Sequence, residues 1–376
     1  MAMDANEVQT RLRDWLETNV AGWSDVRLRP LEVTLGSGFS AEIFFVDVDY
    51  LDAEGQQSST LVVRRQPTDL EVVHGSSLEL QGRMMAALDQ LKVTAVPDWI
   101  GMELDPSVLG NPFLIMGRVE GQSASQNPNY NTSGWIADMS PAQRGATWKN
   151  AIESFAKMSR IDWQADGFSF LAQAEWGKPG LDQYLGHIEA WYNSCRKDRV
   201  MPYVDAAIEY IRAEEPSNMP VNVLWGDSTP SNVMFSADGK VNALIDWELA
   251  ALGPSELDLA WWLYFDDLFS RRFGVERLEG LPTREESIAI WEAEAGRKAE
   301  HLKYCDIVVA LRMALVVVGA FDRQVGIGNI PPENKSLNAN FMTLYLAERL
   351  GMDLPELGPD FYTFMSNMTP VDKKED

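Results

Sequence analysis

The sequence predicts an α+β protein, a small strand-rich part followed by a larger, mainly helical one. Three observations predict it. The first third of the 376 residues alternates short apolar runs with polar turns, as at Ile43 to Val48, Leu61 to Val63 and Phe113 to Met116. From Pro141 onward apolar residues recur at helical spacing, beginning with Trp148, Ile152, Phe155 and Met158. Within the helical part stands one strong hairpin signal: Val233-Met234-Phe235, a turn at Ala237-Asp238-Gly239-Lys240, then Val241 to Ile245.

In chain order, Val8, Leu12, Trp15, Leu16 and Val20 predict an amphipathic first helix. Leu31 to Val33 begins strand-like sequence. Gly36-Ser37-Gly38-Phe39-Ser40-Ala41 follows, between two apolar runs. Strand–turn–strand context suits a loop that cradles phosphates, with glycines for close backbone approach and Ser37 or Ser40 as donors; a plain hairpin turn fits the same residues. Asp52 to Ser59 reads as a polar turn, and Leu61 to Arg65 as a strand. Ser77 to Leu91 reads as a helix with Leu78, Met85, Leu88 and Leu91 on its apolar side. Val96 to Gly101 and Pro112 to Met116 complete the small lobe. The Asn-, Ser- and Pro-rich stretch Ser123 to Ser140 is a long loop, of the kind that borders a binding site. Further helices are expected over Leu181 to Tyr192, Tyr203 to Ile211, Asp258 to Tyr264, Glu285 to Glu300, His301 to Phe321 and Asn338 to Leu350, with a loose charged tail over Phe361 to Asp376.

The chemistry gathers at the hairpin. With Asp238 and Gly239 as its turn, Asn232 falls opposite Ile245, one step from Asp246; a bulge or longer loop brings Asn232 and Asp246 face to face. Two hard oxygen ligands there suit Mg²⁺, which leaves positions for water and phosphate oxygens. Asp227, just before the hairpin, can take a proton from a substrate hydroxyl. A carboxylate base followed by an Asn and an Asp on metal is the phosphoryl-transfer set.

The run Trp225-Gly226-Asp227 through Asn232 and Ile245-Asp246 resembles the His-Gly-Asp-x-x-x-x-Asn and Ile-Asp motifs of the aminoglycoside phosphotransferase and choline kinase family. Gly253 to Ala260 resembles that family's Gly-x-x-x-x-Asp-Leu-Ala. The likeness runs from about Leu31 to the region of Pro332, and is greatest to the branch that includes kinase domains fused to acyl-CoA dehydrogenases. It departs at Trp225, which stands where the family has His. The resemblance implies a bilobal protein-kinase-like fold, with a nucleotide-binding lobe over 1–119 and a catalytic and acceptor-binding lobe over 120–376. It implies ATP and Mg²⁺ as cofactors and a small-molecule hydroxyl as acceptor. On the third strand the kinase Lys is missing, and Arg64 takes the matching position to hold phosphates. The helix should support it through Gln81 by family spacing, or through Glu79. Phe113 to Gly121 resembles the hinge, where Gly117 and Val119 would meet adenine through backbone groups. Asp258 would bond backbone groups of the Asp227 loop. Trp261, Trp262 and Asp266 would line the acceptor pocket, where aromatic and acidic groups suit a cation. Two other readings stay open, a hydroxyacyl-CoA-type acceptor and a nucleotide-binding module without turnover.

Composition removes other classes. A formal charge of −24 argues against nucleic-acid binding. Two cysteines, Cys195 and Cys305, imply no disulfide framework and fit a reducing compartment. Three histidines form no zinc pattern, and no Gly-x-Ser-x-Gly elbow appears. The oily stretch Ile307 to Phe321 is short for a membrane span and contains Arg312, so a buried helix and a soluble cytoplasmic protein are expected.

Overall fold

The computed structural model describes residues 5–29, 42–66 and 77–368. Helix α1 (Ala5–Asn19) turns Leu12, Trp15 and Leu16 to one buried face, and Trp15 meets the Phe113 ring edge-on at 5.4 Å. Strands β1 (Ser24–Leu28), β2 (Glu42–Asp52), β3 (Gly55–Arg65), β4 (Trp99–Glu103) and β5 (Phe113–Gly117) form one antiparallel sheet in the order β1-β2-β3-β5-β4. Helix α2 (Leu78–Leu91) lies between β3 and β4 in the chain, its first turn capped by Ser77. The segments Leu31 to Val33 and Gly36 to Ala41, with Gly36, Ser37, Gly38 and Ser40, lie outside the described residues.

One expectation is corrected here. Asp52 to Ser59 is not all turn, because Asp52 pairs with Gly55 and β3 begins at once. Gln56 and Ser58 are exposed, and the Ser58 hydroxyl donates to Asp49 across the ladder. Polar residues on the solvent face of a sheet resemble a turn only when the partner strand is unknown.

The larger lobe contains α3 (Trp135–Asp138), α4 (Pro141–Ala156), α5 (Leu181–Arg196) and α6 (Pro202–Ala213). Short strands follow: β6 (Asn222–Leu224), β7 (Val233–Phe235), β8 (Val241–Leu244) and β9 (Ala251–Gly253). Then come α7 (Glu256–Asp267), α8 (Arg284–Ala295), α9 (Leu302–Gly326), α10 (Phe341–Leu350) and α11 (Pro359–Met368). Ser140 and Gln143 close a capping box at the start of α4, which ends the preceding loop.

Helix α9 runs through the core. Ile307 to Leu311 and Leu315 are fully buried. Among the described residues it alone is long and apolar enough to cross a membrane, yet 83% of that window is buried in the protein itself. Its Arg312 is buried too, and donates to the Gly226 carbonyl. The sheet has its own core of Leu12, Val46, Leu61 and Val63, whereas Met84, Met85 and Leu88 of α2 join the core of the helical lobe. The expected loose tail is in part α11. Phe361 and Phe364 fall on one face and are buried, Phe364 with its ring 6.4 Å from Phe321. The charged residues after Met368 lie outside the described residues.

Candidate active site

β6 pairs with β9 and delivers the chain into a tight loop at Trp225-Gly226-Asp227. Gly226 has φ +84°, and a Cβ there would fall 1.9 Å from the Leu249 carbonyl oxygen, so only glycine fits. The amides of Trp225 and Gly226 both donate to the Asp258 carboxylate, each at 2.8 Å. Asp258 sits in the first turn of α7, and burial pushes its carboxyl up to about 6 against the pull of those two donors. From below, Arg312 Nη1 donates to the Gly226 carbonyl at 3.1 Å and to the Tyr184 hydroxyl at 2.9 Å.

Trp225 holds the place of the motif His. Its indole N–H donates to the Ile245 carbonyl at 2.9 Å, and the Ile245 amide donates to the Asn232 carbonyl at 2.9 Å. The indole therefore ties the loop to the residue before Asp246, a link that needs a buried donor and no titratable group. Hairpin pairing runs Val233↔Leu244 and Met234↔Ala243, then slips by one at Phe235↔Val241. The bulge lies on the turn side, so at the open end Asn232 faces Ile245 and Asp246 comes next, with φ +61°.

The three acceptors are brought together there. Asn232 Nδ2 donates to Asp227 Oδ2 at 2.7 Å and to the Asp227 carbonyl at 3.2 Å. Trp261 Nε1 donates to Asp227 Oδ1 at 2.8 Å. Desolvation, then the negative charge of Asp246, push the Asp227 carboxyl up to about 7, while its two side-chain donors resist. A carboxylate near neutrality can both orient a hydroxyl and accept its proton. With its amide nitrogen spent on Asp227, Asn232 has its oxygen left for a cation. Among the described residues no three His, Cys, Asp or Glu side chains cluster as a metal cage. One amide oxygen with one carboxylate, Asp246, still fits Mg²⁺, which keeps waters and phosphate oxygens as its other ligands.

Arg64 on β3 reaches the same place. Its Nη1 lies 2.8 Å from Asp246 Oδ1 and its Nη2 lies 2.6 Å from Glu248 Oε2. Burial alone would lower its pKa, but Asp246 and Glu248 hold it above the usual value. A strand of the small lobe thus meets the hairpin end of the large one.

A model of the phosphotransferase enzyme family matches residues 33–294. The chain belongs to that family. It is 24% identical over 297 residues to human acyl-CoA dehydrogenase family member 11, a match over 75% of this chain and 36% of the relative. The chain thus spans about a third of the length of that curated relative. Among solved structures, a putative aminoglycoside phosphotransferase from Ralstonia eutropha superposes with a TM-score of 0.66 at 21% identity, over 91% of this chain and 98% of the other. The GDP complex of an aminoglycoside 2'-phosphotransferase superposes with a TM-score of 0.51 at 13% identity, over 96% and 99% of the two chains. These likenesses show the bilobal, protein-kinase-like fold.

Other expected site residues of this phosphotransferase-family chain are placed as follows. Gly117 pairs with Leu61 while the Arg118 amide bonds the Thr60 carbonyl, so Gly117 points its own amide and carbonyl away from β3. That amide donates to the Asp98 carbonyl at 2.8 Å, leaving the Gly117 carbonyl, not its N–H, as the group to offer a ligand. Val119 follows β5 and is half-buried. Glu79 does not meet Arg64: it is exposed on α2, 3.7 Å from Arg83. Gln81 is buried in α2 and brings no charge. Trp262 does not line a pocket, because one residue of helix turns it about 100° from Trp261. It packs in the core against Trp148 and Phe155. Of the Asp266 carboxylate, Oδ2 meets Arg277 Nε at 2.9 Å, while Oδ1 is buried and has no hydrogen-bond partner among the described residues. The loop after Ser123 does lie on the Asp227 loop, with Gln126 Nε2 donating to Ser231 Oγ at 2.7 Å.

Glu248 and Arg312 were given no role from sequence. Glu248 carried one legible signal, an acid two residues after Asp246 in a chain whose α2 lacks a well-spaced Glu. Arg312 read only as a charge in an oily helix. Trp261→Phe keeps the ring and removes the donor to Asp227. It is expected to lower turnover roughly 10-fold, the worth of one hydrogen bond to a charged group. Steady-state kinetics check this, and unchanged kcat would show that Asp227 needs no donor at Oδ1.

Proposed function

We propose that this chain transfers the γ-phosphate of ATP to a hydroxyl group of a small molecule. The observation that carries the reading is the meeting of Asp227, Asn232 and Asp246 at one hairpin mouth, with Arg64 reaching in from the small lobe. The GDP held by the aminoglycoside 2'-phosphotransferase supports nucleotide binding in the same fold. Asn232 and Asp246 would hold Mg²⁺, which when bound neutralises phosphate charge. Asp227 orients the acceptor hydroxyl and takes its proton. Trp261 and Asn232 fix the Asp227 carboxylate for that task, and Asp258 fixes the loop behind it. Arg64 holds phosphate oxygens, and the Gly117 carbonyl with the Val119 amide meets the base. Rate then comes mainly from positioning and charge neutralisation. The two lobes divide the work at about residue 119, nucleotide before it and acceptor after it. Free Cys195 and Cys305 support a cytoplasmic setting.

For the acceptor, the net charge of −24 favours an amine-bearing alcohol of the aminoglycoside kind. A second reading, a hydroxyacyl-CoA, is favoured by the match to acyl-CoA dehydrogenase family member 11. The test is thermal melting with and without Mg-ATP, then ATP consumption across aminoglycosides, amino alcohols and hydroxyacyl-CoA thioesters. Stabilisation with turnover on one class is the expected result. Stabilisation with no turnover on any hydroxyl compound would make the chain a nucleotide-binding module, and no stabilisation would remove the reading.

A further inference from the structure

In a protein kinase, a carboxylate on the helix after the third strand holds that strand's cation in place. Here neither acid of α2 reaches Arg64: Glu79 pairs with Arg83 and Asp89 with Lys92. Arg64 is 8% exposed and meets two carboxylates from the segment after β8 instead, Asp246 on Nη1 and Glu248 on Nη2. We propose that Glu248 is the positioning residue that holds Arg64 on the phosphates of a bound nucleotide, in place of a helix carboxylate. The inference rests on the phosphotransfer reading above.

The geometry explains a substitution that sequence alone left isolated. A planar guanidinium presents separate nitrogens to separate acceptors, whereas an ammonium is a point charge. One Arg nitrogen meets Asp246, an oxygen ligand of the proposed cation site, and the other meets Glu248. A cation entering at Asp246 competes with Nη1 for that oxygen. Nη1 is then released toward phosphate while Glu248 keeps Nη2. Arg in place of Lys and a loop Glu in place of a helix Glu are therefore one paired change. It also makes cation entry and phosphate capture depend on each other.

The test is a double-mutant cycle on nucleotide affinity, with Mg-ATP titrated by calorimetry into wild type, Glu248→Gln, Arg64→Met and the double variant. Glu248→Gln is expected to weaken Mg-ATP roughly 10- to 100-fold, the range for a hydrogen bond between charged groups. In the Arg64→Met background the same change is expected to add nothing, because residues that act through one contact are not additive. Glu248→Asp should recover part of the loss. Arg64→Met should also tighten binding of Mn²⁺ alone, since Asp246 loses its competitor. An undiminished effect of Glu248→Gln in the Arg64→Met background would mean that Glu248 touches cation or nucleotide directly, and would overturn the inference. So would wild-type affinity in Glu248→Gln. Failure of the wild-type chain to bind any nucleotide would instead bring down the phosphotransfer reading, and this one with it.

Discussion

Asp227→Asn is expected to lower turnover by roughly 10²–10⁴-fold while nucleotide binding stays near wild type. The amide keeps the shape of the carboxylate but cannot accept the hydroxyl proton. It also turns an NH₂ toward one of two donors, Trp261 Nε1 or Asn232 Nδ2, both of which now point at carboxylate oxygens. The loss should therefore appear in kcat at saturating ATP. Single-turnover kinetics on the acceptor identified by profiling would measure it, with calorimetry of Mg-ATP as the control. Turnover equal to wild type would take Asp227 out of proton transfer and leave it a positioning group at most.

Asp258→Ala should act on stability and activity together. It removes the acceptor of the Trp225 and Gly226 amides in a buried loop. Each buried donor left unmet costs about 1–3 kcal/mol, so a loss of roughly 2–6 kcal/mol is expected. Asp227 is the next residue and loses its placement with the loop. Denaturant melts and turnover would both fall, and a loop that kept full activity would show that Arg312 and Gly226 suffice to shape it.

The same carboxyl gives a pH prediction. In the folded chain its pKa is raised from 3.8 to about 6 by burial. The folded state thus binds this proton more tightly than the unfolded one. The resulting stabilisation is complete below the unfolded value and disappears as pH rises through about 6. Asp258→Asn has no such proton to bind. The stability of wild type minus that of Asp258→Asn should therefore shrink between pH 4 and 7 by on the order of 3 kcal/mol, two units of pKa. A difference flat across that range would show that Asp258 titrates alike in both states.

The hairpin was legible because its information is local. Asp238-Gly239 between apolar runs specifies a turn, and the turn sets which residue faces which, so Asn232 opposite Ile245 could be counted from the chain. The helices were legible for the same reason, since apolar spacing is a property of neighbouring residues. Gln56 to Ser59 misled because polarity marks both a turn and the wet face of a strand, and only β2 tells them apart. α11 was missed because its apolar residues, Phe361, Phe364 and Met365 among them, run directly into a charged end, and their helix depends on Phe321 being there to cover.

Partners across the chain were another matter. Trp261 and Trp262 are adjacent and of one type, yet one donates to Asp227 and the other fills the core. Glu79 lies in solvent beside Arg83 and not on Arg64, and Asp266 gives only one of its oxygens to Arg277. Residue type and spacing alone determined the strand-rich first third, the helical remainder and the order of acceptors along the hairpin, and the resemblance of that motif to a known family supplied the two-lobed architecture. Only the folded chain decided which carboxylates Arg64 meets, that an indole ties the loop where a His was expected, and that a buried Arg312 supports Gly226 from beneath. Those contacts join residues 20 to 184 positions apart, and no short-range pattern encodes them, because each is chosen by competition among all the charged and polar groups that packing brings within reach.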